Sequence, residues 1–111
     1  MTEPLSVNAA LFLLPTLDET DVKIRGILHF EFEDLALYHH PKSERKEGCG
    51  SSIWIEVGMG SLTFDEEACS RLNGKLVTVE GTLRSPDASF GGCGHMSLWP
   101  AAVLARTLER A

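Results

Sequence analysis

Asp21-Val-Lys-Ile-Arg-Gly-Ile-Leu-His-Phe-Glu-Phe-Glu-Asp-Leu-Ala-Leu-Tyr38 decides how the rest of the chain is read. Val22, Ile24, Gly26, Leu28, Phe30 and Phe32 fall on one side of a period of two. Lys23, Arg25, Ile27, His29, Glu31 and Glu33 fall on the other, mostly polar, side. Strict alternation over this length predicts a long half-buried β-strand from Val22 to Glu33. The glycine in its middle marks a bulge or a sharp bend. A long bent first strand suits a small closed barrel.

Further strands follow from the same reasoning. Leu35 to His39 forms a second strand after the polar corner Glu33–Asp34. Ser52 to Val57 forms a third, with Ile53, Ile55 and Val57 on one face and Trp54 and Glu56 on the other. Asp65-Glu-Glu-Ala-Cys-Ser-Arg-Leu72 reads as a short helix spanning Phe64 to Leu72, opened by acidic residues and ended by Asn73–Gly74. Lys75 to Arg84 alternates again, with Val77, Val79, Gly81 and Leu83 inward. Met96 to Leu108 is the last strand, with Pro100 near its start confining it to an edge or a bulge. Before all of these, Leu5 to Leu17 reads as a short helix or turn capped by Ser6 or Asn8 and stopped at Pro15.

Three strands, a helix, then two strands is the order of the five-stranded OB barrel. The expected fold is therefore all-β with minor α: a five-stranded OB-like barrel with a helix between strands 3 and 4 and an N-terminal helix. Residues 1–20 form the helical segment packed on a barrel of residues 21–111. Its core is expected from Val22, Ile24, Leu28, Phe30, Ile53, Ile55, Val77, Val79 and Leu83.

Three ordered stretches also carry a resemblance. Val22 to Tyr38, Leu72-Asn-Gly-Lys-Leu-Val-Thr-Val-Glu-Gly-Thr-Leu83 and Gly94-His-Met-Ser-Leu-Trp99 resemble VxVxGxLxxEFExxALY, xNGKxVxVEGTF and GHMGLF patterns. Together, over Val7 to Leu108, the chain resembles a group of small uncharacterised bacterial proteins with an OB-like core, some exported or lipid-anchored. The resemblance implies fold and bacterial origin; it brings no activity and no site residue. This chain has no lipobox cysteine near its start.

Composition limits the function classes. A chain of 111 residues supports one core. With 43% hydrophobic and 23% charged residues it is ordinary globular material. Sixteen acidic against ten basic residues give a charge of −6, the wrong sign for neutralising phosphates. A basic groove would require Arg25, Arg71 and Arg84 to converge. The longest apolar run, Ala9 to Leu14, is too short to span a bilayer. Glu3 and the absence of a preceding cation do not fit an export signal. The expected location is the cytoplasm, with the periplasm as the alternative if an export signal was removed. No nucleophile elbow or phosphate-binding glycine signature is present; Gly58-Met-Gly-Ser-Leu62 has the wrong residues. No cofactor and no enzymatic activity are expected.

The candidate binding residues are Tyr38, Trp54, Glu56, Phe90 and His95. In an OB barrel strands 2 and 3, with the loops joining strands 1–2 and 4–5, build the ligand face. Tyr38, Trp54 and Glu56 fall on those strands; Phe90 and His95 fall in the last of those loops. The structural alternative is that Trp54 and Trp99 simply cover the barrel ends. Glu31, Glu33, Asp34 and His29 form an acidic cluster, which on a strand's solvent face is ordinarily a solubility device. The reading that follows is a non-enzymatic module recognising a protein or peptide, such as an inhibitor, an immunity-type protein or a cell-envelope accessory. The alternative is an OB domain for single-stranded nucleic acid, whose stacking platforms need surrounding basic charge.

Three cysteines leave at least one thiol unpaired. Cys69, on the predicted helix, is expected to be buried. Cys49 and Cys93 lie in glycine-rich loops, and with His95 they are the weak candidates for zinc, lacking a close Cys-x-x-Cys pair. Reduced, unliganded thiols are the expected state, a Cys49–Cys93 bridge the second and zinc the third. Alkylation of the unfolded protein without reductant, read by intact mass, is expected to modify all three thiols. One modified thiol would indicate the bridge, and stoichiometric zinc by metal analysis would exclude both.

Overall fold

The computed structural model describes residues 3–31, 34–41, 44, 51–56, 66–86 and 99–111. It contains β1 (Leu5–Ser6), α1 (Val7–Phe12), α2 (Leu14–Leu17), β2 (Asp21–Glu31), β3 (Asp34–Tyr38), β4 (Ser52–Glu56), α3 (Glu66–Leu72), β5 (Leu76–Arg84) and β6 (Ala102–Arg110). The strands form one six-stranded sheet in the order β1-β2-β3-β4-β6-β5, and an additional β2–β5 pairing closes it partially into a ring. The expected five strands become six because the chain pairs before its first helix.

The strand β2 makes the closure possible. Its first half, Asp21 to Ile27, pairs antiparallel with β5; its second half, Ile27 to Glu31, pairs antiparallel with β3. The partner changes at Ile27, one residue after the glycine. A Cβ on Gly26 would stand 2.8 Å from Val7 Cγ2 and 3.2 Å from Leu37 Cβ, so this position stays bare to let the first helix and β3 close in. Gly81 is tighter. A Cβ there would lie 2.2 Å from the Leu104 carbonyl oxygen. At that point the β5–β6 register shifts: Glu80 faces Thr107 and Gly81 faces Ala105, which leaves Arg106 as the extra residue of a bulge.

The core matches the alternation. Val22, Ile24, Leu28, Ile53, Ile55, Val77, Val79 and Leu83 are buried, with Phe30 partly buried against them. Cys69 is buried there too, as expected from its place on α3. The helices pack at different ends of β2. Near its start, Glu19 N–H donates to Leu83 O, and Ser85 N–H donates to Asp18 Oδ1 at 2.8 Å, which ties α2 to the end of β5. Towards its far end, Gly74 N–H donates to Leu28 O, and Phe30 N–H donates to Asn73 Oδ1 at 2.9 Å, which ties the α3–β5 turn to the strand. Gly74 sits at φ 81°, the left-handed conformation of a helix C-terminus.

The N-terminal segment is where the expectation fails in detail. Leu5 and Ser6 pair parallel with Ile24 and Arg25 as β1. Ser6 is then the N-cap, its Oγ accepting from Ala9 N–H. The expected single helix is two, broken at Leu13, and Pro15 lies in the first turn of α2 rather than stopping α1. Proline is well tolerated there because the first helical N–H groups need no intrahelical acceptor. Val7 and Ala10 enter the core while Phe12 stays 85% exposed. The last strand also starts later than expected, at Ala102, after Pro100 and Ala101.

Gly81→Ala is expected to cost about 3 kcal/mol or more in urea unfolding, because its methyl meets backbone that cannot rotate away. Gly74→Ala, with open space around it, is expected to cost about 1–2 kcal/mol from the left-handed φ alone. Equal losses at the two sites would contradict the close β5–β6 approach.

Candidate functional site

Outward side chains of β3 and β4, together with Trp99 from the stretch before β6, form a second apolar cluster separate from the core: Ala36, Tyr38 and Trp99, with Trp54 packed on them. The placement of Trp54 follows from its neighbours. It lies between Ala36 on β3 and Ala102 on β6, and two methyl side chains leave a trough for an indole. The Trp54 and Trp99 rings tilt together with centroids 4.6 Å apart. His29, projecting from β2 on the same outer face, meets the Tyr38 ring edge-on at 5.3 Å. Such pairs add a modest amount to the burial itself.

Burial separates the roles within this cluster. Tyr38 is 8% exposed and Trp99 3%, so neither offers a free ring face. Trp54 is half-buried. Trp99 Nε1–H is buried with no hydrogen-bond acceptor among the described residues. Glu56 projects from the same face of β4 as Trp54, half-exposed, with its Oε2 4.0 Å from Arg84 Nη1. An exposed ion pair this long is weak and readily exchanged for another cation. Glu31 stands 3.6 Å from His29 Nε2.

The site residues read from the sequence therefore divide. Tyr38, Trp54 and Glu56 lie on neighbouring outward positions of β3 and β4, and the structure brings them to one face. Phe90 and His95 lie outside the described residues, as do Cys49 and Cys93. The alternative for Trp54 and Trp99 needs correction: helices pack at both ends of β2, and the two tryptophans cover the outer surface of the sheet. Of the acidic cluster, Glu33 and the side chain of Asp34 lie outside the described residues, and Glu31 stands beside His29. Nor do the three arginines converge. Arg71 lies on α3, which precedes the nine-residue β5, whereas Arg84 ends β5 and faces Glu56. No group of three metal-ligating side chains occurs among the described residues. No helix there is long and apolar enough to cross a membrane.

One charged cluster was not legible beforehand. Asp21 Oδ1 accepts from Arg106 Nη1 at 2.9 Å and from Thr82 Oγ1 at 3.0 Å, joining β2, β5 and the bulge of β6. A bulge residue has no register position in an alternation pattern, so only the mid-strand Gly81 hinted at it.

No protein-family model matches the chain, and no curated protein matches it. Solved structures show likeness of fold. Asparaginyl-tRNA synthetase from Pyrococcus horikoshii, complexed with asparaginyl-adenylate, is similar at a TM-score of 0.54 and 16% identity over 99% of this chain. A DUF3299 family protein from Pseudomonas aeruginosa PAO1 is similar at a TM-score of 0.51 and 12% identity over 86% of this chain. The chain spans 22% of the first protein and 64% of the second. At such identities the likeness is one of fold, and it includes a protein of an uncharacterised family.

The Arg106 hydrogen bond, then that of Thr82, then the Arg106 charge hold the Asp21 carboxyl below its ordinary range. A group whose pKa is lower folded than unfolded stabilises above its unfolded value, about pH 4. That contribution disappears as pH falls through the folded value. Asp21→Asn is therefore expected to lower the urea midpoint at pH 7 and to converge on the parent protein once the pH has fallen below the folded value. A gap that persists unchanged at low pH would show that the ion pair contributes nothing.

Proposed function

We propose that this chain is a non-enzymatic OB-like module that binds a protein or peptide partner through the outer face of β3 and β4. The strand pairing supports the OB-like part of the reading. The chain's five longer strands follow the sheet order β2-β3-β4-β6-β5 and return to β2, with the helix α3 between β4 and β5 along the chain. The observation that carries the functional part is Trp54. It is the half-exposed aromatic residue of that face, seated between Ala36 and Ala102 and beside the carboxylate of Glu56.

An indole edge next to a loosely held carboxylate suits a side chain that is apolar along its length and cationic at its tip, such as Lys or Arg on a polypeptide. It suits a single-stranded nucleic acid poorly. Bases need open ring faces, and Tyr38 and Trp99 have theirs against other side chains. Phosphates need cations, and the chain carries −6. An inhibitor, an immunity-type protein or a cell-envelope accessory fits these features. Trp54 at the centre of a contact would carry a large share of its energy.

Two measurements test this. Tryptophan fluorescence titrated with single-stranded oligonucleotides in about 50 and 200 mM salt is expected to stay flat, and strong affinity that collapses with salt would overturn the reading. A photocrosslinking residue in place of Glu56 is expected to capture one host protein, competed by excess parent chain. Trp54→Ala should weaken that competition by roughly thirtyfold, the scale of an interface centre. Undiminished competition would remove Trp54 from the site.

A further inference from the structure

We infer that Asn73–Gly74 is a latent self-modification site, where the chain converts its own asparagine through a succinimide, and that the hydrogen bonds holding the α3–β5 turn against β2 keep this site closed. The turn is no part of the β3–β4 face, and the function proposed above does not depend on it.

Two demands set the sequence of the turn. The chain leaves α3 in the left-handed conformation at Gly74, φ 81°, which glycine adopts without a side-chain clash. Asn73 precedes it because its side-chain oxygen stands in for a main-chain carbonyl. The β2–β5 ladder ends with Ile27 opposite Leu76. Beyond that point β2 bonds to the turn instead. Leu28 N–H donates to Lys75 O at 3.0 Å, Gly74 N–H donates to Leu28 O at 2.8 Å, and Phe30 N–H donates to Asn73 Oδ1 at 2.9 Å. The packing therefore selects Asn-Gly. In that same dipeptide a main-chain nitrogen reaches the preceding side-chain amide most easily, because glycine has no Cβ to obstruct the approach.

The chemistry is internal. Base removes the Gly74 N–H proton, and the nitrogen attacks Asn73 Cγ. A new C–N bond closes a five-membered succinimide, and Nδ2 leaves as ammonia. Water then opens the ring at one of its two carbonyls, giving hydroxyl to carbon and a proton to nitrogen. Opening at Cγ yields aspartate; opening at the former main-chain carbonyl yields isoaspartate. Water is consumed, ammonia is released, and no oxidant or reductant takes part.

Solvent is already at hand. Asn73 and Gly74 are exposed, and a Cβ on Gly74 would meet nothing within 4 Å. Hydrogen bonding, not burial, is the restraint. The Gly74 proton is committed to Leu28 O, whose lone pairs oppose an amide anion formed beside them. The Phe30 N–H holds the Asn73 carboxamide to β2. Both restraints fall together when the turn lifts from the strand, and the same opening admits hydrogen exchange at Gly74.

The two products differ in what they leave behind. Each adds a negative charge at the C-terminal end of α3, where the helix dipole disfavours it. Aspartate still offers a side-chain oxygen to Phe30 N–H. Isoaspartate routes the main chain through Cβ and Cγ, so the backbone between Leu72 and Gly74 lengthens by a carbon. Gly74 N–H and Lys75 O then no longer both meet Leu28. A turn converted in this way does not close again, and the site records its own opening.

The test holds the whole chain in mildly alkaline buffer, folded and in urea, beside the peptide acetyl-Ser-Arg-Leu-Asn-Gly-Lys-amide. Peptide mapping by mass reads conversion at Asn73, and hydrogen exchange reads the Gly74 amide of the folded chain. The peptide and the unfolded chain are expected to convert at similar rates, and the folded chain at least about thirtyfold more slowly. Urea below the unfolding transition should raise conversion and Gly74 exchange by the same factor. Asn73→Asp should shift the urea midpoint only slightly. The isoaspartyl chain, separated after unfolding and returned to buffer, should unfold at lower urea and exchange Gly74 at least about tenfold faster than the parent. Conversion of the folded chain at the peptide's rate, conversion without matching exchange, an inert peptide, or equal stability of the isoaspartyl and Asn73→Asp chains would each overturn the inference.

Discussion

Everything in this fold hangs on one strand serving two sheets' worth of neighbours. β2 gives its first half to β5 and its second half to β3, and it receives β1 on the edge that β3 has not yet reached. A strand can do this only where it bends, and a bend towards the interior brings opposite walls together. Gly26 lies at that place. Val7 from the first helix and Leu37 from β3 meet over it at distances a side chain would not permit. The absent methyl group is thus what lets the N-terminal segment close on the ring. Gly81 is the same device on the opposite side, where β5 comes so near β6 that β6 takes up an extra residue.

This explains which parts of the molecule could be read from the sequence. Alternation over Val22 to Phe30, Ile53 to Ile55 and Val77 to Leu83 places a residue inside or outside regardless of its partner, so the core was legible. The order of strands and helix was legible for the same reason. The N-terminal segment was not. Val7-Asn-Ala-Ala-Leu-Phe and Leu14-Pro-Thr-Leu carry no signal for a break at Leu13, because the break is made by what α1 and α2 each pack against. A two-residue strand such as β1 has no period to detect. Pro15 was misread because a proline is compatible with both the end of one helix and the beginning of the next, and only the tertiary fit chooses.

The candidate face shows a similar division. Alternation put Trp54 and Glu56 on the face of β4 turned from the core, and the structure agrees, with Tyr38 joining them from β3. Their accessibility could not be read, since it depends on non-local packing: His29 from β2 meets Tyr38, and Trp99 lies against Trp54. The aromatic residues of that face thereby divide into a supporting set and one side chain with open surface. A buried pair behind a half-exposed indole fixes the ring's orientation before any partner arrives. Rigid aromatic anchors lose less entropy on binding than flexible ones, which is the physical case for regarding Trp54 as a contact rather than as core.

Charge arranges the remaining surface on the same economy of small numbers. The net −6 is not spread evenly over the β-strands. Lys23 with Glu80, Arg106 with Asp21 and Arg84 with Glu56 match cation to anion across or between strands. Each is exposed and individually weak. Together they tie neighbouring strands of the partly closed ring to one another, β2 to β5 through Lys23 and Glu80 and β2 to the β6 bulge through Asp21 and Arg106. Arg110 and Glu109 at the end of β6 lie outside these three pairs.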